Sequence, residues 1–259
     1  MFNKNIGIPG ITIDNTIVLV TSALFADKCG GYLTEPSLIR IERLNATLDS
    51  FYTGGFSNII IIDNTVPENF DISIFVKDQK IRQIGARCTN LSNGLLPNEY
   101  SINGPSKLEL LLLWDNMEVL KQICKDYAFI LKISAGYKVS NLKKIYNLAP
   151  NGAVFRMGNP LRIKVKFCLT SFYILPKGAF FKMISFFYTH INKVSAKFPL
   201  EALMFDYINT LKVYLTPVPY PKLDAQFLSS GRSSKDFDYL LKERVFILLA
   251  RLGLFVYTF

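Results

Sequence analysis

Two kinds of hydrophobic pattern alternate along the first half of the chain. Nearly continuous apolar runs of strand length, rich in β-branched residues, occupy 16–23, 57–65 and 128–134. Such runs are typical of strands that are covered on both faces of a sheet. The stretches 34–52 and 104–127 instead repeat apolar residues at the spacing of an α-helix. The alternation predicts β–α–β units, and therefore an α/β fold with a mostly parallel sheet flanked by helices.

Proline and glycine mark the expected ends of these helices. Pro36 stands in what would be the first turn of the first helix, and Gly54 and Gly55 follow its last apolar residues. Pro105 stands near the start of the second stretch, which predicts one continuous helix. The positions of these prolines and glycines therefore agree with the helix ends that the hydrophobic spacing predicts.

Polar residues follow the first two predicted strands. Because the carboxyl ends of parallel strands meet at one edge of a sheet, Thr21 and Ser22 are expected beside Asp63 and Asn64. Open α/β sheets bind ligands at that edge, where a carboxylate can accept hydrogen bonds from ribose hydroxyls or a base N–H. An Asp-Asn turn that merely ends the strand explains the same letters equally well.

Beyond residue 150 the pattern predicts one strand and then mostly helices. The strand falls within 161–175. The helical stretches are 176–191, 198–215 and 234–255. We find no linker, so we expect a single domain over 1–259, with a nucleotide-binding part at about 14–150 and an acceptor-side helical part at about 151–259.

The charge balance favours an anionic partner. Thirty lysines and arginines against 20 aspartates and glutamates give a formal net charge of +10. Such an excess suits nucleotide phosphates, nucleic acid or an anionic membrane surface, unless it serves solubility alone.

Cysteine and histidine usage excludes some kinds of site. Four widely spaced cysteines show no paired metal-ligand pattern and are expected to be reduced, buried thiols. With His190 as the one histidine, a zinc site or a Ser-His-Asp triad is poorly supported. No stretch predicts a secretory signal or a membrane-spanning helix, so a cytoplasmic location is expected.

Two turns combine small residues with cations. Ser134 and Gly136 lie between Lys132 and Lys138, and such a turn can form an anion-binding nest or be an ordinary connection. Arg232 lies in a serine- and glycine-rich stretch that predicts either a phosphate contact or a solvated loop.

The local sequence allows more than one role for Glu109. Ser106 and Glu109 have the spacing of a capping box, in which both side chains satisfy N–H groups at a helix start, and the local pattern favours that interpretation. Lys107 at the same helix start also suits a phosphate. No Asp-x-Asp motif follows a predicted strand, so no metal site is predicted, although Mg²⁺ or Mn²⁺ is left open.

Taken in order over roughly 17–240, several short stretches resemble bacterial lipopolysaccharide- and capsule-type glycosyltransferases with a GT-A-like nucleotide-sugar domain. The stretches are VTSALF, EPSLIRIERLNATLDSF, IIIIDNT, NGPSKLELLLLW, LKISAGYKVSNL, TSFYILPKGAFF, PLEALMFDYI and SSGRSS. The resemblance implies a GT-A-like, Rossmann-type sheet. It also implies nucleotide contacts near Thr21, Ser22, Arg40 and Asp63, and donor-site roles near Lys107, Glu109, Lys132, Gly136 and Lys138.

The leading hypothesis is therefore a metal-independent glycosyltransferase that is peripheral on the inner face of the cytoplasmic membrane. It would move a sugar from a nucleotide donor to a lipid-linked or polysaccharide acceptor. Lys132, Lys138 and Arg232 would stabilise the departing phosphate, and Glu109, with Glu201 in reserve, would take the acceptor proton.

Two other classes remain open. The turn lacks the arginine of the family pattern unless Lys138 replaces it, which favours a degenerate nucleotide-sugar-binding protein of a glycan assembly complex. The net charge motivates a nucleic-acid binder, which comes last because no nucleic-acid motif is found.

Overall fold

The computed structural model describes a discontinuous set of residues. They are 10–25, 36–63, 65–66, 82–83, 104–140, 142, 154–157, 168–194, 198–210 and 223–225.

Strands and helices alternate through these ranges. The strands are β1 Thr16–Ser22, β2 Ile59–Asp63, β3 Arg82–Gln83, β4 Phe129–Ser134, β5 Tyr137–Val139, β6 Val154–Met157, β7 Cys168–Pro176 and β8 Leu223–Ala225. The helices are α1 Ser37–Thr53, α2 Gly104–Asp115, α3 Met117–Ile123, α4 Lys177–Thr189 and α5 Leu200–Thr210, with a short 3₁₀ turn at Ile191–Lys193.

The main sheet has the strand order β3-β2-β1-β4-β7-β6. The first four strands in this order, β3, β2, β1 and β4, are parallel to one another. Strand β7 runs antiparallel to both β4 and β6. An order of 3-2-1-4 is that of a Rossmann-type sheet. The predicted α/β class, with a mostly parallel Rossmann-type sheet flanked by helices, is confirmed.

The register brings the predicted polar ends together. Ser22 of β1 stands opposite Asp63 of β2, and Thr21 stands opposite Ser134 of β4. These pairs are adjacent because all three strands are parallel and end at one edge. The predicted meeting of the first two strand ends is confirmed.

Each face of the sheet carries its own hydrophobic core, because successive side chains of a strand point to opposite faces. Val18 and Val20 of β1 face α1, whose Leu44, Leu48 and Phe51 are buried in the same cluster. The alternate residues of β1 belong to the other cluster, together with apolar side chains of α2, α4 and α5. The helices thus cover both faces, as the continuous apolar strands predicted.

The predicted continuous helix 104–127 is wrong in one respect, because the chain forms two helices there. Asn116 separates α2 from α3 with φ −99° and ψ 12°. Its side-chain Nδ2 donates to the Leu112 carbonyl oxygen at 2.9 Å, and it is 8% exposed. An asparagine that bonds to nearby backbone competes with the helical ladder, which explains the break.

The sheet continues past residue 150, since β6 and β7 belong to it. The prediction of a strand within 161–175 holds for β7, and the first later helix is α4. The second appears as α5, while its predicted extension to 215 and the stretch 234–255 lie outside the described residues. Within the described ranges, no helix is both long and apolar enough to span a bilayer.

Candidate functional site

A cavity of about 170 Å³ opens at the carboxyl ends of β1 and β4. This is the edge at which open α/β sheets bind ligands. Strand ends, α1 and α2 contribute its walls, which are lined by Thr21, Ser22, Ala23, Leu24, Arg40, Arg43, Glu109, Leu112, Ser134 and Ala135.

Two arginines of α1 give the cavity a cationic wall. Arg40 was predicted at this site, and its Nη1 donates to the Ala23 carbonyl oxygen at 3.1 Å. Arg43 was missed, although the spacing i, i+3 places it on the same face of α1. The helical period of α1 was the signal that would have found it.

Thr21 lines the cavity and carries a buried hydroxyl. The residue is 5% exposed, and within the described part of the chain its Oγ1 makes no hydrogen bond. A buried polar group without a partner is costly, so a ligand that bonds this hydroxyl recovers free energy. Thr21 is therefore the strongest of the predicted contacts on β1.

Asp63 lies at the same edge but is enclosed by protein. It is fully buried, and it is not among the cavity-lining residues. Five hydrogen bonds reach its carboxylate from Ser22 Oγ (2.5 Å), Leu24 N (2.8 Å), Thr65 N (2.7 Å), Thr65 Oγ1 (2.7 Å) and Val66 N (3.0 Å). The side chain fastens the segments after β1 and β2 to each other.

The geometry of Asp63 corrects the prediction of a direct nucleoside contact. Its carboxylate oxygens are engaged by three backbone N–H groups and two hydroxyls, so none faces a ligand in this arrangement. The alternative of a strand-ending turn describes the observed contacts better. Asn64, predicted beside it, lies outside the described residues.

The turn after β4 is also bonded internally. The Ala135 N–H donates to the Thr21 carbonyl oxygen at 2.8 Å, and the Gly136 N–H donates to Thr47 Oγ1 at 2.9 Å. Gly136 has φ +96°, and a Cβ there would lie 3.5 Å from Arg43 Cδ. The predicted anion nest is therefore wrong for these two N–H groups, which hold the turn against β1 and α1 instead.

Lys132 and Glu109 form a partly buried ion pair at the wall of the cavity. Lys132 Nζ lies 2.6 Å from Glu109 Oε1, and the two side chains are 1% and 28% exposed. Nζ also donates to Ser134 Oγ at 2.9 Å and to the Thr170 carbonyl oxygen at 2.8 Å. The three N–H groups of the ammonium thus have three acceptors.

This pair corrects two predictions. Glu109 bonds to Lys132 of β4, and α2 begins at Gly104, so Ser106 is not at the N-cap position that the predicted capping box requires. Lys132 has no N–H directed at the cavity, so the predicted contact with a donor phosphate is not available in this arrangement. Glu109 lines the cavity, and among the described residues its second carboxylate oxygen has no ion-pair or hydrogen-bond partner.

Glu201, the reserve base, lies next to this network but does not line the cavity. It occupies the first turn of α5, where a carboxylate is favoured by the helix dipole. Thr170 Oγ1 donates to its Oε1 at 3.3 Å, and the carbonyl oxygen of Thr170 accepts from Lys132. Glu109 is consequently the better placed of the two candidate bases.

Lys107 and Lys138, also predicted at the site, are not among the residues that line the cavity. Lys107 is half-buried in the first part of α2. Lys138 is half-buried on β5, where it stands opposite Asp224 of β8 in the strand register. Arg232 lies outside the described residues. Across the described ranges, no group of three or more His, Cys, Asp or Glu side chains is arranged to hold a metal ion.

Burial controls the ionisation of Tyr173, which lies behind the ion pair. Burial first, and the negative charge of Glu109 second, raise the pKa of this phenol well above its usual value. Its ring centroid is 5.9 Å from Lys132 Nζ. The ion pair is thus backed by a neutral aromatic ring on β7.

Comparison with known proteins does not assign the chain to a family. No protein-family model matches the chain, and no curated protein does. Among solved structures, the chain is similar to a glycosyltransferase involved in the glycosylation of the major capsid of PBCV-1. The identity is 8%, the coverage is 78% of each chain, and the TM-score is 0.39. At that TM-score the likeness carries no argument about function.

Proposed function

We propose that the chain is a glycosyltransferase that uses a nucleotide-sugar donor and has a GT-A-like nucleotide-sugar domain. The observation that carries this proposal is the composition of the cavity at the carboxyl ends of the parallel strands. Arg40 and Arg43 stand on one wall, and Glu109 lines it as well. This arrangement suits a ligand with a phosphate at one end and hydroxyl groups at the other.

The arginines suit the phosphate end of the donor. A guanidinium is charged at all physiological pH values and offers planar, paired N–H donors that match phosphate oxygens. Two of them separated by one helical turn can contact a diphosphate. They take the role that was predicted for the lysines of the turn after β4.

The reaction exchanges one bond at the anomeric carbon for another. The bond from the anomeric carbon to the donor phosphate oxygen breaks, and its electron pair leaves with the nucleotide. A hydroxyl oxygen of the acceptor forms the new bond to that carbon, and its proton goes to a base. Positive side chains near the departing phosphate stabilise the negative charge that develops there.

Glu109 is the proposed base of an inverting reaction. It is partly exposed at the cavity wall and is held by Lys132 through one oxygen. The second oxygen is then available to accept a proton or a hydrogen bond from a sugar or acceptor hydroxyl. Glu201 belongs to the same network, because its Oε1 accepts a hydrogen bond from Thr170 Oγ1.

The acceptor and the location remain part of the proposal. The sequence resemblance suggests a lipid-linked or polysaccharide acceptor of the lipopolysaccharide or capsule type. A formal net charge of +10 supports peripheral attachment to the anionic inner face of the cytoplasmic membrane. No nucleic-acid partner is proposed.

Thermal unfolding with UDP-, GDP-, CMP- and dTDP-sugars, each with and without Mn²⁺, tests the function. A ligand at about 100 times its dissociation constant adds about 2.7 kcal/mol to stability, so weak donors register at millimolar concentration. One donor should raise the melting temperature, and Arg40→Ala and Arg43→Ala should abolish that rise. Lys182→Ala is the control, since Lys182 is an exposed cation on α4.

Turnover then separates the proposal from its alternative. Release of free nucleotide from the stabilising donor supports a transferase, since these enzymes also transfer slowly to water. Binding without release favours the degenerate binding protein. Stabilisation by none of the donors would contradict both.

A further inference from the structure

Lys132 is a buried cation, and protein groups accept all three of its N–H hydrogen bonds. Its three contacts reach Glu109 of α2, Ser134 of its own strand and Thr170 of β7. An ammonium group has three N–H donors and no acceptor, so no donor is left for a substrate. The side chain therefore acts on the cavity through another residue.

The contacts of Lys132 extend to the second carboxylate. The Thr170 carbonyl oxygen accepts from Lys132, while the Thr170 hydroxyl donates to Glu201 at 3.3 Å. One buried cation thus links α2, β4, β7 and, through Thr170, α5. A side chain held from several elements keeps one orientation, which is what a reacting carboxylate requires.

We propose that Lys132 is a positioning residue, which fixes the carboxylate of Glu109 at the cavity wall and joins it through Thr170 to Glu201. The role of Glu109 as a base rests on the proposed function, whereas the linkage itself rests on the observed contacts. The buried ring of Tyr173 lies 5.9 Å from Lys132 Nζ, and an apolar surrounding strengthens the attraction between the two charges.

A double-mutant cycle tests the linkage without any need for activity. Lys132→Met leaves the Glu109 carboxylate without its partner and should lower the melting temperature by about 5 °C or more. The double variant Lys132→Met/Glu109→Gln should melt at a higher temperature than Lys132→Met alone, because no charge is then stranded.

An exposed pair provides the matched control. Lys121 Nζ lies 2.7 Å from Glu118 Oε1, with side-chain exposures of 43% and 79%. The corresponding Met and Gln changes there should shift melting by about 1 °C or less and show almost no coupling. Coupling between Lys132 and Glu109 no larger than in this pair would overturn the proposal.

Lys132→Arg distinguishes positioning from phosphate binding, and it keeps a positive charge beside Glu109. On the donor found in the thermal screen, turnover should fall about tenfold or more while the donor dissociation constant changes less than about twofold. Weaker binding of the donor with unchanged turnover would mean that Lys132 contacts the donor phosphate. If the unaltered protein turns over no donor, the proposed function fails and the cycle alone decides the role of Lys132.

Discussion

Asp63 and Glu109 are two carboxylates at the same edge of one sheet, and the protein surrounds them differently. Asp63 is fully buried and accepts five hydrogen bonds from neutral donors. Glu109 pairs with one cation through a single oxygen and remains 28% exposed at the cavity. The comparison teaches that position at a ligand-binding edge does not by itself make a carboxylate functional. What matters is whether its oxygens are already occupied.

The largest expected effect on stability comes from removing the enclosed carboxylate. Asp63→Ala strands three backbone N–H groups and two hydroxyls, each of which costs about 1 kcal/mol or more when it is buried and unpaired. We expect the free energy of unfolding to fall by about 5 kcal/mol in urea titrations. A loss below about 1 kcal/mol would show that these contacts contribute little.

The carboxylate at the cavity should show its effect in transfer activity. Glu109→Gln keeps the shape of the side chain but cannot take a proton, so transfer activity should fall about 100-fold or more while donor affinity stays within a few fold. Initial rates at saturating donor measure this effect. Activity within about tenfold of the unaltered protein would assign the base elsewhere, with Glu201→Gln as the next variant to assay.

Gly136→Ala tests the turn that packs beside the Arg43 side chain. The positive φ of +96° disfavours any residue with a Cβ, so we expect a loss of about 1 to 2 kcal/mol in unfolding free energy. Gly178→Ala is the control, because a Cβ there meets nothing within 4 Å. Equal effects of the two changes would mean that the turn relaxes freely.

Thr21→Val should give the smallest change in stability. Its hydroxyl makes no hydrogen bond among the described residues, so removing it should alter unfolding free energy by less than about 0.5 kcal/mol. The thermal stabilisation by the donor should nevertheless shrink, because a ligand contact is lost.

Thr47→Val is the matched comparison for Thr21→Val. Thr47 is also buried, but its hydroxyl donates to the Arg43 carbonyl oxygen at 3.0 Å and accepts from the Gly136 N–H at 2.9 Å. The change should cost about 1 to 2 kcal/mol of stability. If Thr21→Val leaves donor binding unchanged, the Thr21 hydroxyl does not contact the donor.

The fold followed from periodicity, whereas the site required packing between distant elements. The apolar runs of β1, β2 and β4 and the helical spacing of α1 are local signals, so their positions were predictable. The break at Asn116 was not, because one polar residue hardly disturbs a helical pattern; its backbone contact decides the outcome.

The partners of the site residues left weaker traces in the sequence. Lys132 interrupts an apolar strand, which signals a buried and paired cation, yet nothing local names Glu109 as its partner. Arg43 repeats Arg40 after three residues and was detectable from helical spacing. The five donors to Asp63 come from two separate segments, and only the folded sheet brings them to one carboxylate.

A crystal structure of the protein with the nucleoside diphosphate of its stabilising donor is the most direct measurement. We predict phosphate oxygens within hydrogen-bonding distance of the guanidinium groups of Arg40 and Arg43, with Lys132 still bonded to Glu109. A diphosphate bound by Lys132, or bound away from the carboxyl ends of β1 and β4, would contradict the account.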